Sequence, residues 1–201
     1  MSASTWPPES PDAARLGRAA PAEEIPAAVL VPLFLAGPAP EPHIVLTRRR
    51  ADLRRHAGEI AFPGGRMDEQ DRNLNETALR EAEEEIGLDR RHASVLATLP
   101  TVSTFVTGYA IHPVVAAIPA GLAWSLSPRE VDAVLELPVR AIREGHGKTQ
   151  IERRGLAFET DAYLVDDHVI WGATARIIDH LLERLSAPGD ERINIPATGG
   201  A

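Results

Sequence analysis

Short apolar runs along the chain predict buried strands, and longer stretches with a helical period predict helices. The run from Ile25 to Ala36 is short and apolar, which favours a strand over a helix, and His43 to Arg49 predicts a second strand after the turn-rich segment GPAPEP. Further strands are predicted at 93–101, 109–118 and 130–137, a hairpin across 145–165, and helices at 138–143 and 172–185. This mixture of strand and helix patterns predicts an α/β fold.

The stretch from Gly64 to Leu88 joins a glycine-rich loop to an acidic amphipathic helix. At about 100° per residue, the side chains of Glu81, Glu84 and Glu85 share one narrow face of that helix. The apolar face consists of Ala78, Leu79, Ala82 and Ile86. The helix is therefore expected to pack by one side and to carry three carboxylates on another.

Polar residues and a glycine mark the ends of this helix. Asn73 or Asn75 is expected to begin it, and Gly87 is expected to end it. Arg80 precedes Glu84 by four residues, so the two side chains lie within reach of each other on the helix surface.

The three clustered carboxylates repel one another, at a cost of roughly 0.2–0.5 kcal/mol per pair in an exposed helix. A divalent cation accounts for the cluster, because Mg²⁺ and Mn²⁺ prefer hard oxygen ligands and Mg²⁺ commonly also holds substrate phosphates. A solvated acidic face is the alternative explanation of the glutamate spacing alone. The adjacent glycine-rich loop favours the metal site.

These residues resemble the Nudix box, G-x5-E-x7-R-E-U-x-E-E-x-G-U, in which U is a bulky aliphatic residue. The matching positions are Gly65, Arg80, Glu81, Glu84, Glu85, Gly87 and Leu88. The stretch from Gly65 to Arg80 is one residue longer than the pattern, and Asp71 stands where the pattern has its first glutamate. Asp68, Glu69 and Asp71 are all candidates for that loop acid.

The resemblance implies a Nudix-type α/β/α sandwich with a mixed sheet, and Mg²⁺ or Mn²⁺ as the cofactor. The metal ligands that it implies are Glu81, Glu84 and Glu85. Many Nudix enzymes take a general base or a further ligand from a loop outside the box. We expect Arg80, Glu84 and Glu130 as catalytic residues, with Glu130 as the base and with Glu136 or Glu84 as the alternatives.

A second motif precedes the box and is similar to L-L-T-x-R-S-x3-R-x3-G-x-V-x-F-P-G-G, the signature of the coenzyme A pyrophosphatase branch of Nudix hydrolases. The matching residues are Leu46, Thr47, Arg49, Arg54, Gly58, Phe62, Pro63, Gly64 and Gly65. Val45 and Ile60 are conservative departures from this signature, whereas Arg50 in place of serine is not. A lengthened box is usual in this branch, so the extra residue supports the resemblance.

Five arginines within eight positions lie just ahead of the glycine loop, at 48, 49, 50, 54 and 55. As a group they are candidates for phosphate contacts, and a solvated basic rim is the alternative for any one of them. Residues 107–109 resemble a T-G-Y element of the same branch, although a turn that requires glycine also explains them, and residues 170–176 resemble its closing I-W-G-x-T-A-R element. The expected substrate-binding residues are Arg49, Arg54, Gly64, Gly65 and Tyr109.

The coenzyme A signature implies metal-dependent hydrolysis of coenzyme A, or of its oxidised and acylated derivatives. The products would be 3′,5′-ADP and a 4′-phosphopantetheine compound. Within the family, the alternative substrates are ADP-ribose, nucleotide sugars and damaged nucleotides. A non-catalytic metabolite-sensing domain and a plain interaction domain are alternatives of another class.

The composition limits the classes of binding partner and the cellular location that we expect. The 201 residues include 29 acidic residues against 21 lysines and arginines, and the net charge of −8 argues against a nucleic-acid or anionic-membrane binder. The absence of cysteine excludes disulfides and thiolate chemistry and is compatible with the cytoplasmic location that we expect. No apolar run is long enough to span a membrane. We expect a monomer or homodimer with one domain at 25–186, a flexible arm at 1–24 and a flexible tail at 187–201.

Overall fold

The computed structural model describes residues 24–53, 57–104, 108–153, 155–186 and 195. Its strands are β1 (Ile25–Ala36), β2 (Glu41–Arg49), β3 (Ile60–Ala61), β4 (Gly64–Arg66), β5 (Ser94–Thr98), β6 (Val102–Ser103), β7 (Tyr109–Ala117), β8 (Val131–Pro138), β9 (His146–Arg153), β10 (Leu156–Val165) and β11 (His168–Trp171). Its helices are α1 (Leu74–Ile86), α2 (Val139–Glu144) and α3 (Gly172–Ser186), with a short 3₁₀ helix at Arg90–His92. Predictions for Arg54, Arg55, Thr107, the N-terminal arm up to residue 23 and most of the tail lie outside the described residues.

Strand β1 lies inside a mixed eight-stranded sheet. It pairs in parallel with β7, with Val29 opposite Pro113, and antiparallel with β2 and β4 on its other edge. Strand β8 continues the sheet beyond β2, while β5 and β6 pair with β7. A separate antiparallel sheet has the order β11-β10-β9, so the predicted 145–165 hairpin is confirmed. The sheet and its helices confirm the predicted α/β fold with a mixed sheet.

Alternate residues of β1 enter two different hydrophobic cores. Leu30 is buried in one core with Ala82 of α1, and Val31 is buried in the other with Ile178 and Leu181 of α3. Ile195, from the tail, packs against the α3 side. Because helices cover both faces of the sheet, β1 is apolar at nearly every position and shows no polar alternation. The α/β/α arrangement places the acidic helix α1 on the face opposite α3.

Local signals at both ends of α1 fix its length. The Asn73 side chain accepts a hydrogen bond from the Glu76 N–H at 3.1 Å, so Asn73 and not Asn75 begins the helix. Gly87 ends it in the left-handed conformation, with φ of 70°. None of the helices in the described residues is long and apolar enough to cross a membrane.

Several predicted strand boundaries change in the structure, and very short strands were not predicted. The predicted strand at 93–101 is shorter in the structure, where β5 ends at Thr98, before Pro100, which has no N–H to donate to a neighbouring strand. Strand β6 begins beyond the predicted span, at Val102. Glu130 lies before β8, because its N–H donates to the Ser127 carbonyl at 3.2 Å and closes a turn. Strands β3 and β4 were not predicted, since runs of two and three residues are too short to show a period.

Candidate active site

Strand β4 brings Gly64 and Gly65 against the acidic face of α1. The Gly64 N–H donates to Glu85 Oε2 at 3.3 Å. A Cβ on Gly65 would lie 2.5 Å from Glu81 Oε1, and a Cβ on Gly64 would lie 2.5 Å from Val29 Cα. Glycine at both positions therefore allows β4 to approach β1 and the carboxylates of α1 so closely.

Asp71 closes the loop between β4 and α1 by binding Arg80. Its Oδ1 accepts from Arg80 Nε at 3.0 Å, and its Oδ2 accepts from Arg80 Nη2 at 2.9 Å. The Thr77 hydroxyl and the Asp68 N–H also donate to Oδ2. The hydrogen bonds from Arg80 hold the pKa of Asp71 well below its ordinary value. Of the three candidate loop acids, Asp68, Glu69 and Asp71, it is therefore Asp71 that binds Arg80.

The rest of the Arg80 guanidinium binds α1 and β4. Its Nη1 donates to Glu81 Oε1 at 2.9 Å and lies 3.4 Å from both carboxylate oxygens of Glu84, and its Nη2 donates to the Arg66 carbonyl at 3.1 Å. The bond to Asp71 is the main reason that the pKa of Arg80 is raised. These contacts are those of a positioning group, and a direct catalytic role for Arg80 stays a prediction.

Replacing Arg80 with leucine is expected to lower the free energy of unfolding by about 2 kcal/mol near neutral pH, because the Asp71 carboxylate, 5% exposed, loses its charged partner. A carboxyl with a depressed pKa stabilises the folded state above the ordinary Asp pKa of about 3.9 and loses that contribution as the pH falls further. The difference between wild type and variant should therefore shrink below about pH 4. Urea unfolding at pH 7 and at pH 3 measures it. An equal deficit at both pH values would assign the loss to packing of the Arg80 stem.

Burial and mutual repulsion disfavour charge on the two inner carboxylates of α1. The Glu85 side chain is 6% exposed, and burial raises its pKa to about 7, although Arg49 Nη1 opposes this from 3.6 Å. Burial also raises the pKa of Glu81, and repulsion from Glu84 and Glu130 adds to it. The four carboxylates of Glu81, Glu84, Glu85 and Glu130 are therefore close enough to interact electrostatically.

The three acids assigned to a metal share one side of α1 but point apart. Glu81 turns to Arg80, Glu85 turns to Gly64, and the Glu84 side chain is 61% exposed. Within the described ranges, no group of three His, Asp or Glu side chains converges as closely as a metal ion requires. The donor chemistry still suits a hard divalent cation, because all three are carboxylates whose repulsion a cation relieves. Ligation by this set involves rotation of its side chains and stays a prediction.

The end of β2 and the turn before β8 bring Glu130 to the same site. Arg49 lies between two carboxylates, with Nη1 3.6 Å from Glu85 Oε1 and Nη2 3.7 Å from Glu130 Oε2. The buried Arg49 Nε has no hydrogen-bond partner in the described part of the chain. Glu136, the alternative base, accepts from the Trp124 indole N–H at 2.7 Å instead. Of Glu130 and Glu136, Glu130 is therefore the one that lies beside Arg49, and its role as the base stays a prediction.

The neighbouring arginines of β2 bind other groups. Arg48 forms an ion pair with Asp132 at 2.8 Å, and Arg50 forms one with Asp52 at 2.7 Å. Of the described arginines in the basic cluster, Arg49 is thus the one that faces α1.

A family model described as the NUDIX domain matches residues 25–151. The chain belongs to the Nudix hydrolase family. Members of this family act on pyrophosphate bonds and generally use divalent metal ions.

Relatives and solved structures agree with this family. Nudix hydrolase NudL of Photorhabdus laumondii is 38% identical over 161 residues, which cover 79% of this chain and 84% of the relative. NudL of Cronobacter sakazakii is 43% identical over 157 residues, covering 77% and 80%. The Nudix hydrolase RenU from M. smegmatis superposes with a TM-score of 0.58 at 18% identity, covering 80% of this chain and 85% of RenU. The NUDIX domain of Shewanella oneidensis NrtR, complexed with ADP ribose, has a TM-score of 0.54 at 15% identity, with coverages of 89% and 100%. At these identities the solved structures show the fold alone.

Tyr109 and the IWGATAR element of this Nudix domain have structural contacts. The Tyr109 N–H donates to the Thr104 hydroxyl at 2.9 Å. The Thr174 hydroxyl donates to the Ile60 carbonyl at 3.1 Å, and Arg176 Nη1 donates to the Ser103 carbonyl at 3.0 Å. The IWGATAR element therefore ties α3 to β3 and β6, which is a structural role for this motif. Substrate binding by Tyr109 stays a prediction.

An open cleft of about 520 Å³ borders the Nudix box at Glu81. The residues that line it are Arg66, Met67, Asp68, Glu69, Gln70, Arg80 and Glu81. Arg66 was not among the predicted site residues. The available signal was its position directly after Gly65 at the end of β4, where its carbonyl accepts from Arg80 Nη2.

Proposed function

We propose that this Nudix hydrolase cleaves the pyrophosphate bond of coenzyme A and of its oxidised or acylated derivatives, giving 3′,5′-ADP and a 4′-phosphopantetheine product. The proposal rests on one observation, which is that residues of both motifs lie against the same carboxylate. Arg49 and Gly64, which match the coenzyme A signature, both lie against Glu85 of the Nudix box. Residues that resemble a substrate signature thus border the carboxylates that the box supplies.

In this proposal the ligands of Mg²⁺ or Mn²⁺ are Glu81, Glu84 and Glu85. A bound divalent ion polarises phosphate oxygens and lowers the pKa of a coordinated water. Arg49 orients the diphosphate with its terminal guanidinium nitrogens, because its side chain is partly exposed and lies between the Glu85 and Glu130 carboxylates at the site. Arg54, Gly64, Gly65 and Tyr109 complete the substrate contacts.

Glu130 is the general base in this proposal. Its side chain is half exposed, so water reaches it, and its carboxylate lies on the far side of Arg49 from Glu85. A base must lie within hydrogen-bond reach of the attacking water. Glu130 takes the proton of that water as its oxygen bonds to one phosphorus, and the bond from that phosphorus to the bridging oxygen breaks, so that the bridging oxygen leaves with the other phosphate.

A parallel assay of the purified protein with coenzyme A, ADP-ribose and a nucleotide sugar, each with Mg²⁺ or Mn²⁺, tests the substrate. We expect the highest kcat/KM for coenzyme A, with 3′,5′-ADP as a product and no turnover after chelation of the metal. Reaction in heavy-oxygen water labels one product phosphate and identifies the phosphorus that is attacked. Preferential turnover of ADP-ribose would overturn the substrate assignment.

The same assay separates an enzyme from a sensing domain. If the parent protein hydrolyses none of these diphosphates, and Glu85→Gln binds coenzyme A as the parent does, the domain is a metabolite sensor. Calorimetry with coenzyme A and Mg²⁺ measures that binding.

A further inference from the structure

Arg50 makes contacts that are out of reach of the serine found at its position in the coenzyme A signature. Its Nε and Nη2 donate to the two carboxylate oxygens of Asp52, at 2.9 and 2.7 Å. Its Nη1 donates to the Pro128 carbonyl at 2.8 Å. The planar guanidinium makes all three bonds at once, because its donors have a fixed fork geometry. The side chain therefore ties the end of β2 to the turn before β8.

Pro128 belongs to a turn that ends at Glu130. The Ser127 carbonyl accepts from the Glu130 N–H at 3.2 Å and from the Val131 N–H at 3.0 Å. The Ser127 N–H donates to the Glu85 carbonyl at 2.8 Å, so the first residue of the turn is bound to the C-terminal end of α1. One end of the turn is thus fixed by the acidic helix and the other by β2.

The Glu130 carboxylate has few contacts of its own. Its one ion pair in the described residues is with Arg49 Nη2 at 3.7 Å, and the structure gives it no side-chain hydrogen bond there. The Arg50 N–H donates to the Glu130 carbonyl at 3.0 Å, and the Arg50 side chain adds the second tether at Pro128. The position of this carboxylate therefore depends on the backbone of the turn.

We propose that Arg50, fixed by Asp52, is a positioning residue for Glu130: it holds the turn, and so sets the distance of the Glu130 carboxylate from the acidic face of α1. This inference rests on the proposed function, in which Glu130 takes a proton from water. An exposed ion pair adds little to stability, whereas misplacing a reacting group by about 1 Å costs about 100-fold in rate. The contribution of Arg50 is therefore expected in kcat.

A double-mutant cycle of Arg50→Ser and Glu130→Gln tests the proposal, with kcat and KM measured for coenzyme A. Arg50→Ser is expected to lower kcat about 10-fold and to leave KM within about twofold. In the Glu130→Gln background the same substitution is expected to change kcat by less than about twofold, because the group that it positions is gone. Equal losses in both backgrounds, or full activity of Glu130→Gln, overturn the proposal.

Two further variants distinguish the positioning of Glu130 from the loss of a positive charge and from the loss of an exposed ion pair. Arg91→Ser removes another exposed arginine, whose Nε and Nη2 bind the carboxylate of Asp89 two residues away, and it is expected to leave kcat unchanged. Arg50→Lys keeps the charge but lacks the planar fork, so it is expected to remain as slow as Arg50→Ser. Full rescue by lysine, or an equal loss in Arg91→Ser, overturns the proposal.

Amide hydrogen exchange measures how often the hydrogen bonds of the turn open, independently of catalysis. Arg50→Ser is expected to raise exchange at the Glu130 and Val131 N–H groups about 10-fold, and Arg91→Ser is not. No rise overturns the proposal whatever the substrate. Failure of the parent to hydrolyse coenzyme A overturns the proposed function instead, and the kinetic cycle is then run on the diphosphate that the parent does hydrolyse.

Discussion

Replacing Glu85 with glutamine is expected to lower kcat for pyrophosphate hydrolysis about 1,000-fold, the equivalent of the several kcal/mol that a catalytic metal ion supplies. Glutamine has nearly the same size, and its carbonyl oxygen still accepts from the Gly64 N–H, so the loop is expected to stay in place. The substitution removes the negative charge that faces Arg49 and that a cation would use. Steady-state kinetics with Mg²⁺ measures the loss, and thermal unfolding checks the fold.

Glu83→Gln is the matched control on the same helix. Glu83 binds Arg90 Nη2 at 2.8 Å, away from the carboxylate cluster, so its replacement is expected to leave kcat unchanged. Excess Mn²⁺ is expected to raise the Tm of the wild type and of Glu83→Gln but not that of Glu85→Gln, because only a ligand that binds the folded state stabilises it. The same Tm increase in all three proteins would contradict the metal role of Glu85.

Replacing Gly64 with alanine is expected to lower the free energy of unfolding by about 3 kcal/mol, because the added Cβ has no room between β4 and β1. It would lie 2.5 Å from Val29 Cα and would also collide with the Ala28 carbonyl. Both obstacles are backbone atoms, so relief means separating two paired strands. Activity is expected to fall as well, since the Gly64 N–H binds Glu85. Urea unfolding measures the change in stability.

Gly147→Ala gives the comparison for Gly64→Ala. Gly147 also lies in a strand, but a Cβ there would have no atom within 4 Å. Alanine restricts the unfolded chain more than glycine does, so this variant is expected to be unchanged or more stable by about 0.5 kcal/mol. A similar loss at both positions would show that steric contact with β1 is not the cause.

The elements around the site were predictable because their signals are local. The apolar run of β1, the Asn73 cap and the Gly87 stop each act within a few residues of the chain. The helical period likewise places Glu81 and Glu85 on one face of α1 without reference to any other element. Strands as short as β3 and β4 carry no such signal, and they form because β1 and β2 present free backbone groups to them.

The partners of the charged side chains were not predictable in the same way. Three acids in the loop were candidates for the first acid of the box, and the folded loop brings Asp71 to Arg80. Two acids near β8 were candidates for the base. The turn before β8 leaves Glu130 beside Arg49, whereas Glu136 binds Trp124.

The sequence by itself determined the longer strands, the helices, the acidic face of α1 and the glycine-rich loop beside it. Tertiary structure alone decided that Arg49, and neither Arg48 nor Arg50, faces Glu85, and that Glu130 joins them from the turn before β8. Periods and caps follow from interactions within about four residues along the chain. Which charged side chains become neighbours depends on the register of the strands and on loops that are distant in the sequence. These loops meet only when the two hydrophobic cores form on either side of the sheet.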